Sequence, residues 1–550
     1  MKNVRQWRTY SHTPILVLAA TLFLASNLVS AQAPPPDPRF GVVEAFRSSK
    51  DAAELGLGWE RVIFFWQQLQ PNGPNEWNDF YYEDGWLADA LSHGREVVGL
   101  LEGTPAWATD GSLGAGVPRG LYLPIDDPNN LWASFVRTIV RRYAGRIDHW
   151  IIWNEPDIAP GEYGVQWEGS VADFAQLTKV AYLVAKQENP NVVIHFAGLT
   201  YWHDAVNGRP LYLQRYIDEA RADPDAVAHN FYFDAISLHI YFTTDSVFDI
   251  TAIFADVLRR NGLTQAIWIN ETNAAPFDDP LNPWTIPDWT VTLDQQAGFI
   301  VQAFAQGLAA GAQRIAVYKL IDFPPYPPGY EPYGLVRADG TRRPAFEAMR
   351  TVITTFSGVR SAQMNRTQTR SIVTLDRGDR TTRVVWARGK TSVTVSLPAF
   401  APQALLVTHL GEMKIITPTH GAYQLTLPGA LCNDPKHGCA VGGAPLIVVE
   451  DAPSGNVINS QAAITVTATP TSSPTPTETA TVTPSPSPTV TASATPVPTA
   501  TPVASPTLTQ APAAPQVALD SLPMAVVVAL VLTGGAIVVA VVLNRRKASG

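Results

Sequence analysis

Ile147-Asp148-His149-Trp150-Ile151-Ile152-Trp153-Asn154-Glu155-Pro156 is an apolar, strand-like run that closes on a carboxylate and a proline. A second run, Ala266-Ile267-Trp268-Ile269-Asn270, closes on Glu271 in the same way. Both belong to a series. Apolar runs at 40–43, 61–65, 97–101, 149–153, 192–197, 235–240, 267–270 and 315–320 alternate with helix-like segments. Runs that are apolar throughout, rather than at every second position, mark parallel strands covered on both faces. The helices have readable ends. Asp127-Pro128 opens one whose apolar face is Leu131, Phe135, Ile139 and Tyr143; Ser170 opens another that Pro190 stops; a third covers 293–308 with Gly311 beyond it. Eight such units over residues 38–352 predict an α/β fold, a (β/α)8 TIM barrel. A doubly wound open sheet fits less well, because no glycine-rich phosphate loop follows the first strand.

Working outward, the pattern changes after residue 352. Short alternating runs at 371–374, 383–386, 392–395 and 446–449 lie between Gly, Pro and Asp turns, which predicts a small all-β sandwich over 353–453. Residues 454–521 are dominated by Thr, Pro, Ser, Ala and Val, a composition that buries too little apolar surface to offset ordering entropy and so predicts a disordered stalk. Residues 522–543 are apolar and uncharged, long enough to cross a bilayer core of about 30 Å as a transmembrane helix. Arg545, Arg546 and Lys547 follow, so the tail 544–550 is expected in the cytoplasm. At the other end, Lys2, Arg5 and Arg8 precede an apolar stretch and Val29-Ser30-Ala31, the layout of a signal peptide over 1–31. The expected location is the extracellular face of the membrane, with a single span.

Two cysteines occur, Cys432 and Cys439. In an oxidising compartment that spacing predicts a small loop-closing disulfide rather than a metal site, which would need further Cys or His ligands nearby. His437, inside the loop, reads as a solvated residue. A formal charge of −9 with 16% charged residues argues against nucleic acid as a partner and fits a neutral, hydroxyl-rich ligand.

In a barrel of this kind, functional side chains gather at the C-terminal ends of strands, where Glu155 and Glu271 are expected. Two carboxyls suit cleavage of a glycosidic bond: one protonates the departing oxygen while the other attacks, or activates water at, the anomeric carbon. The chain resembles the retaining glycoside hydrolases of clan A, in which an Asn-Glu-Pro motif after strand four carries the acid/base and a glutamate ending strand seven is the nucleophile. Asn154-Glu155-Pro156 and Ile269-Asn270-Glu271-Thr272 fit these two places. Thr104-Pro105-Ala106-Trp107-Ala108, Val336-Arg337-Ala338-Asp339-Gly340 and a following β-sandwich look most like family 39, the β-xylosidase and α-iduronidase family, with family 5 second.

The resemblance implies further roles. Asn154 would donate to the sugar 2-hydroxyl. His239 and Tyr241 match a His-x-Tyr pattern beside the nucleophile, the tyrosine orienting Glu271. Arg61 would keep Glu271 ionised, since a nearby cation lowers a carboxyl pKa. Trp107 and Trp153 are candidate sugar-binding residues. Strand eight departs from the pattern, reading Val317-Tyr318-Lys319-Leu320 where the clan has a tryptophan.

Most of the 15 tryptophans fall within 38–352. Trp66, Trp77, Trp107, Trp167, Trp202, Trp284 and Trp289 sit in or beside segments that follow strands, which together predict a carbohydrate cleft, with residues 323–333 as one wall. The expectation is a retaining β-glycosidase, xylosidase-like, acting on poly- or oligosaccharides without metal or organic cofactor. The alternative is a catalytically silent carbohydrate-binding protein on the same barrel.

Overall fold

Eight parallel strands close into a barrel in chain order, as the alternation predicts: β1 (Phe40–Val43), β2 (Trp59–Phe65), β3 (Glu96–Glu102), β4 (His149–Ile152), β5 (Val193–Leu199), β6 (Ala235–Tyr241), β7 (Ala266–Asn273) and β8 (Arg314–Val317), the last pairing with β1. The computed structural model describes residues 35–80, 82–285, 289–323, 331–434 and 438–454, and the backbone of 526–533 and 536–543. The period of two sorts the strand side chains. Trp59, Val98, Leu100, Ile151, Trp268 and Ala316 turn inward and fill the barrel. Val62, Val97, Leu101, Ile236, Leu238, Ile267 and Ile269 turn outward into the shell of helices. The filling is tight: a Cβ on Gly41 would lie 2.4 Å from the Trp59 indole.

The helix Val171–Glu188 begins at Ser170, whose hydroxyl accepts from the Asp173 amide while Asp173 accepts from the Ser170 amide, a reciprocal cap. The helix expected from Asp127 starts later, at Leu131. Asp127 instead closes a turn that accepts the Asn130 amide at 2.9 Å, and Asn130 becomes the cap. The helix Leu293–Ala309 is buried nearly all round, its Gln295, Gln296, Gln302 and Gln306 included. A second layer explains this.

After the helix Pro344–Phe356 come β9 (Ser361–Arg366), β10 (Arg370–Asp376), β11 (Thr381–Ala387), β12 (Val393–Pro398), β13 (Ala404–Thr408), β14 (Met413–Ile416), β15 (Ala422–Leu427) and β16 (Leu446–Glu450). Six form an antiparallel sheet in the order β14-β13-β16-β11-β10-β9, and β12 pairs with β15. One face of the larger sheet, with Val373, Val384 and Trp386, joins the core of the barrel's helical shell. The other, with Val385 and Ala387, packs on Val395, Leu397, Tyr423 and Leu425 of the β12–β15 pair. Central β11 is therefore buried at every position. Gln302 ties the layers, accepting from Thr244 Oγ1 at 3.0 Å and donating to the Gly443 carbonyl at 3.0 Å. Cys432 and Cys439 form the expected disulfide.

The C-terminal region differs from the expectation. Where a membrane-spanning helix is expected over 522–543, the described residues form two strands, Val526–Thr533 and Ala536–Leu543, paired with each other. No helix among the described residues is long and apolar enough to cross a membrane. Two valine-rich halves flanking Gly534-Gly535 favour extended backbone and a reversal on local propensity, whereas the helical reading rests on the bilayer as solvent. The expected signal peptide, nearly all of the stalk and the cytoplasmic tail lie outside the described residues.

The loops after β7 and β8 are locked by a buried ionic network. Arg343 donates from Nε to Asp279 at 2.6 Å, from Nη2 to Asp322 at 2.7 Å and from Nη1 to the Gly334 carbonyl at 2.6 Å, while Arg337 Nε reaches Asp279 at 2.9 Å. Asp279 and Arg343 are fully buried. Removing one partner of such a network leaves charge without compensation. Arg343→Ala should therefore lower stability by about 3–5 kcal/mol, read as a fall in the denaturant midpoint; a change within experimental error would mean the network is not buried in solution.

Candidate active site

Alternation alone brings Arg61, third residue of β2, into the barrel two positions beyond Trp59, and brings His239 and Tyr241 of β6 inward on the same parity as Ser237. Glu271 is different. With Trp268 inward and Ile269 outward, a regular strand would turn Glu271 out among the helices. The register shows why it does not: Leu238 pairs with Ile269 but His239 pairs with Glu271, and on the other side Ile269 pairs with Ile315 but Thr272 with Val317. The extra residue in β7 is a bulge, which reverses parity and re-aims the side chain. Glu271 thereby faces Arg61.

The turn carrying Glu155 is held by the neighbouring strands. Trp153 and Glu155 take left-handed backbone angles, φ 73° and 44°, costly for residues other than glycine. The Trp153 amide donates to the Leu101 carbonyl at 2.8 Å and the Glu155 amide to the Gly198 carbonyl at 3.0 Å, so the chain stays pinned between β3 and β5 beyond the end of β4.

The two carboxylates and one imidazole converge: one ligand atom from each of Glu155, His239 and Glu271 lies within 4.8 Å of the other two. Glu271 accepts from Arg61 Nη2 at 2.5 Å on one oxygen and from the Tyr241 hydroxyl on the other. Burial alone would raise the Glu271 pKa, but Arg61, His239 and Tyr241 outweigh it and hold the carboxyl below its ordinary value. Tyr241 is pushed well above the usual phenol range by burial and by the Glu271 charge.

His239 Nδ1 lies 2.7 Å from Glu155 Oε1 and 3.6 Å from Glu271 Oε2. Nδ1 thus faces both carboxyls, and the ring packs on Gly198, where a Cβ would come within 2.2 Å of Nε2. The other Glu155 oxygen accepts from Gln166 Nε2 at 3.3 Å. Each of these carboxyl oxygens thus already accepts a hydrogen bond, and Arg61 supplies a positive charge beside Glu271.

Of the residues anticipated from sequence, Glu155, Glu271, Arg61, His239 and Tyr241 come together, with His239 chiefly on Glu155 rather than on Glu271. Asn154 joins them through Gln166, donating from Nδ2 to Gln166 Oε1 at 3.1 Å, and its buried Oδ1 has no hydrogen-bond partner. Trp153 is a correction. It is fully buried, donates to the Gln166 carbonyl at 2.7 Å and stands edge-on to Trp132 and Trp167 in a continuous aromatic row, so it supports the site from behind and presents no face to a ligand. Trp66 and Trp167 are likewise core residues; Trp77, Trp107, Trp284 and Trp289 are half-buried, and Trp202 is exposed. Trp107 donates to the Gln70 carbonyl at 2.7 Å and meets Trp66 edge-on.

Tyr318 takes the place at the end of β8 where the resemblance has a tryptophan. It meets Tyr241 and Tyr333 edge-on at 6.0 and 5.8 Å and donates to Glu331 at 2.9 Å. Tyr333 belongs to the expected wall 323–333; residues 324–330 of that wall lie outside the described residues.

Two participants escaped the sequence reading. Gln166, which links Asn154 to Glu155, has no signal in its surroundings. Glu102 has one: it closes the run Val97-Val98-Gly99-Leu100-Leu101 just as Glu155 and Glu271 close theirs.

No family model matches the chain, and no curated protein matches its sequence. Among solved structures it is similar to a family 39 glycoside hydrolase from the gut symbiont Bacteroides cellulosilyticus WH2, at 14% identity over 76% of this chain and 81% of that one, with a TM-score of 0.55. It is also similar to a GH30 endoxylanase from Clostridium papyrosolvens C71, at 11% identity over 76% of this chain and 97% of that one, with a TM-score of 0.50. At these identities the likeness is one of fold: the closed eight-stranded barrel is shared with glycoside hydrolases of several families, of which family 39 is one.

Proposed function

We propose that this protein is a retaining β-glycosidase acting on poly- or oligosaccharides, with Glu271 as nucleophile and Glu155 as acid, then base. The observation that carries the reading is the short spacing of two unlike carboxyls. An oxygen of each lies within 4.8 Å of the other, in keeping with the separation of about 5–5.5 Å used for double displacement and not with the wider gap that admits a water in inverting enzymes. Glu271, ionised beside Arg61 and oriented by Tyr241, is suited to attack the anomeric carbon. Glu155, steered by His239 and Gln166, is suited to give its proton to the departing oxygen and to take one back from water in the second step. Asn154, beside them, is the candidate partner of the sugar 2-hydroxyl. A β-xylosidase-like preference remains part of the proposal, to be tested with a panel of aryl β-glycosides.

The membrane-anchored, extracellular setting is a proposal that rests on the sequence of 522–543 and the basic residues after it. Recovery of the full chain from the membrane fraction, and release of soluble enzyme by truncation after residue 456, is the expected result; full-length protein in the soluble fraction would refute it.

The two glutamates should fail differently. Glu271→Ala should lose turnover by about 10⁴-fold or more, with azide restoring it as a glycosyl azide of inverted configuration. Glu155→Ala should still form the covalent intermediate with a leaving group that needs no proton, giving a burst before slow hydrolysis. Azide rescue of Glu155→Ala with inversion, or an inverted first product from the wild type, would reverse or remove the roles.

Tyr241→Phe deletes a hydrogen bond to the ionised form of Glu271, so the Glu271 pKa rises. The carboxylate is the active form, hence the acid limb of kcat/KM should move to higher pH. An unmoved limb would show that Tyr241 does not act on Glu271.

A further inference from the structure

Glu102 is the last residue of β3, between the strand that carries Arg61 and the strand that leads to Glu155. Val98 and Leu100 point into the barrel, so Glu102, two residues further, is on the same inward face. It is 4% exposed. Its carboxyl makes no hydrogen bond or ion pair with any described residue, and its oxygens are not among the buried atoms closed off from solvent, so the acid is open to a partner from the cleft. The charged groups that face it are Arg61 from β2, Glu155 from the turn after β4 and Glu271 from β7.

We propose that Glu102 is a specificity-determining residue whose carboxyl hydrogen-bonds a hydroxyl of the sugar ring seated between Glu155 and Glu271. The proposal rests on the glycosidase reading above and adds a third, unassigned contact to it. Its chemistry is that of a neutral acid: burial, and then the charges of Glu155 and Glu271, push the carboxyl up to about 8 against the opposing pull of Arg61. Below that value Glu102 carries a proton to donate and adds no third negative charge beside the nucleophile. Above it, Glu102 ionises, the donor is lost and the charge opposes both carboxylates. The ligand it selects is a pyranoside with a hydroxyl directed at the end of β3, and an analogue without that hydroxyl leaves the acid unpaired.

The test uses the full chain, an aryl glycoside that the wild type hydrolyses and its monodeoxy analogues. In wild type one deoxy analogue should lose kcat/KM by about tenfold or more. In Glu102→Ala that same analogue should react no more slowly than the parent glycoside, whereas Glu102→Gln, which keeps an N–H donor and the side-chain length, should retain most of the discrimination. The alkaline limb of wild-type kcat/KM should steepen through a second ionisation near 8 that Glu102→Gln lacks. Equal losses with every deoxy analogue in wild type and Glu102→Ala, or a second ionisation that persists in Glu102→Gln, would overturn the proposal while leaving the glycosidase reading intact. No turnover of any aryl glycoside by wild type would overturn that reading and this one with it. Because the carboxyl has no hydrogen-bond partner among the described residues, Glu102→Gln should keep the wild-type melting temperature; a marked fall would assign Glu102 to structure instead.

Discussion

The ion pair between Arg61 and Glu271 is the constraint around which the site is organised. Both groups are buried, and a lone charge in that position would be expelled or neutralised. Each therefore makes the other admissible. The pair also explains the bulge in β7: regular alternation would put the carboxylate among the apolar side chains of the helical shell, and the extra residue is what turns it toward its cation. Tyr241 then fits, since a hydroxyl beside an ionised carboxylate can only donate.

The second carboxyl is treated differently. Glu155 has no arginine or lysine partner among the described residues; its neighbours are an imidazole and an amide, and it sits on a turn outside the regular strand, more exposed than Glu271. Two carboxyls close together need unlike surroundings if one is to attack while the other exchanges protons, and environment is how proteins divide such roles. The fully buried Trp153 contributes to that division from behind. Through the Gln166 carbonyl it fixes the residue whose side chain touches both Asn154 and Glu155, so an aromatic that reads as a sugar platform acts as a brace.

Much of this was legible in the sequence because the chemistry sits at strand ends and strand ends are where apolar runs stop. The eight runs predict the barrel, Glu155 and Glu271 follow from their places in it, and Arg61 comes with the resemblance. What was not legible is whatever depends on a neighbour far along the chain. The parity of Glu271 depends on a bulge that no local pattern announces. His239 turns chiefly to Glu155 because a strand two positions away in the barrel delivers that carboxylate. The buried glutamines of the helix Leu293–Ala309 look like a solvated face until carbonyls of Leu431, Tyr333, Gly443 and Thr244, far along the chain, meet them. In residues 522–543, one composition serves a bilayer-spanning helix and a pair of valine-rich strands, and solvent, not sequence, chooses between them.

Glu102 ends its run as Glu155 and Glu271 end theirs. A third ionised carboxylate in so small a space would destabilise the site, so its presence makes sense if burial, and then the charges of Glu155 and Glu271, keep it neutral. Arg61 supplies one positive charge, and Glu271 takes it. That allocation holds Glu271 as an anion, and burial, with the charge of Glu271 added to it, leaves Glu102 to hold its proton against the pull of the same cation.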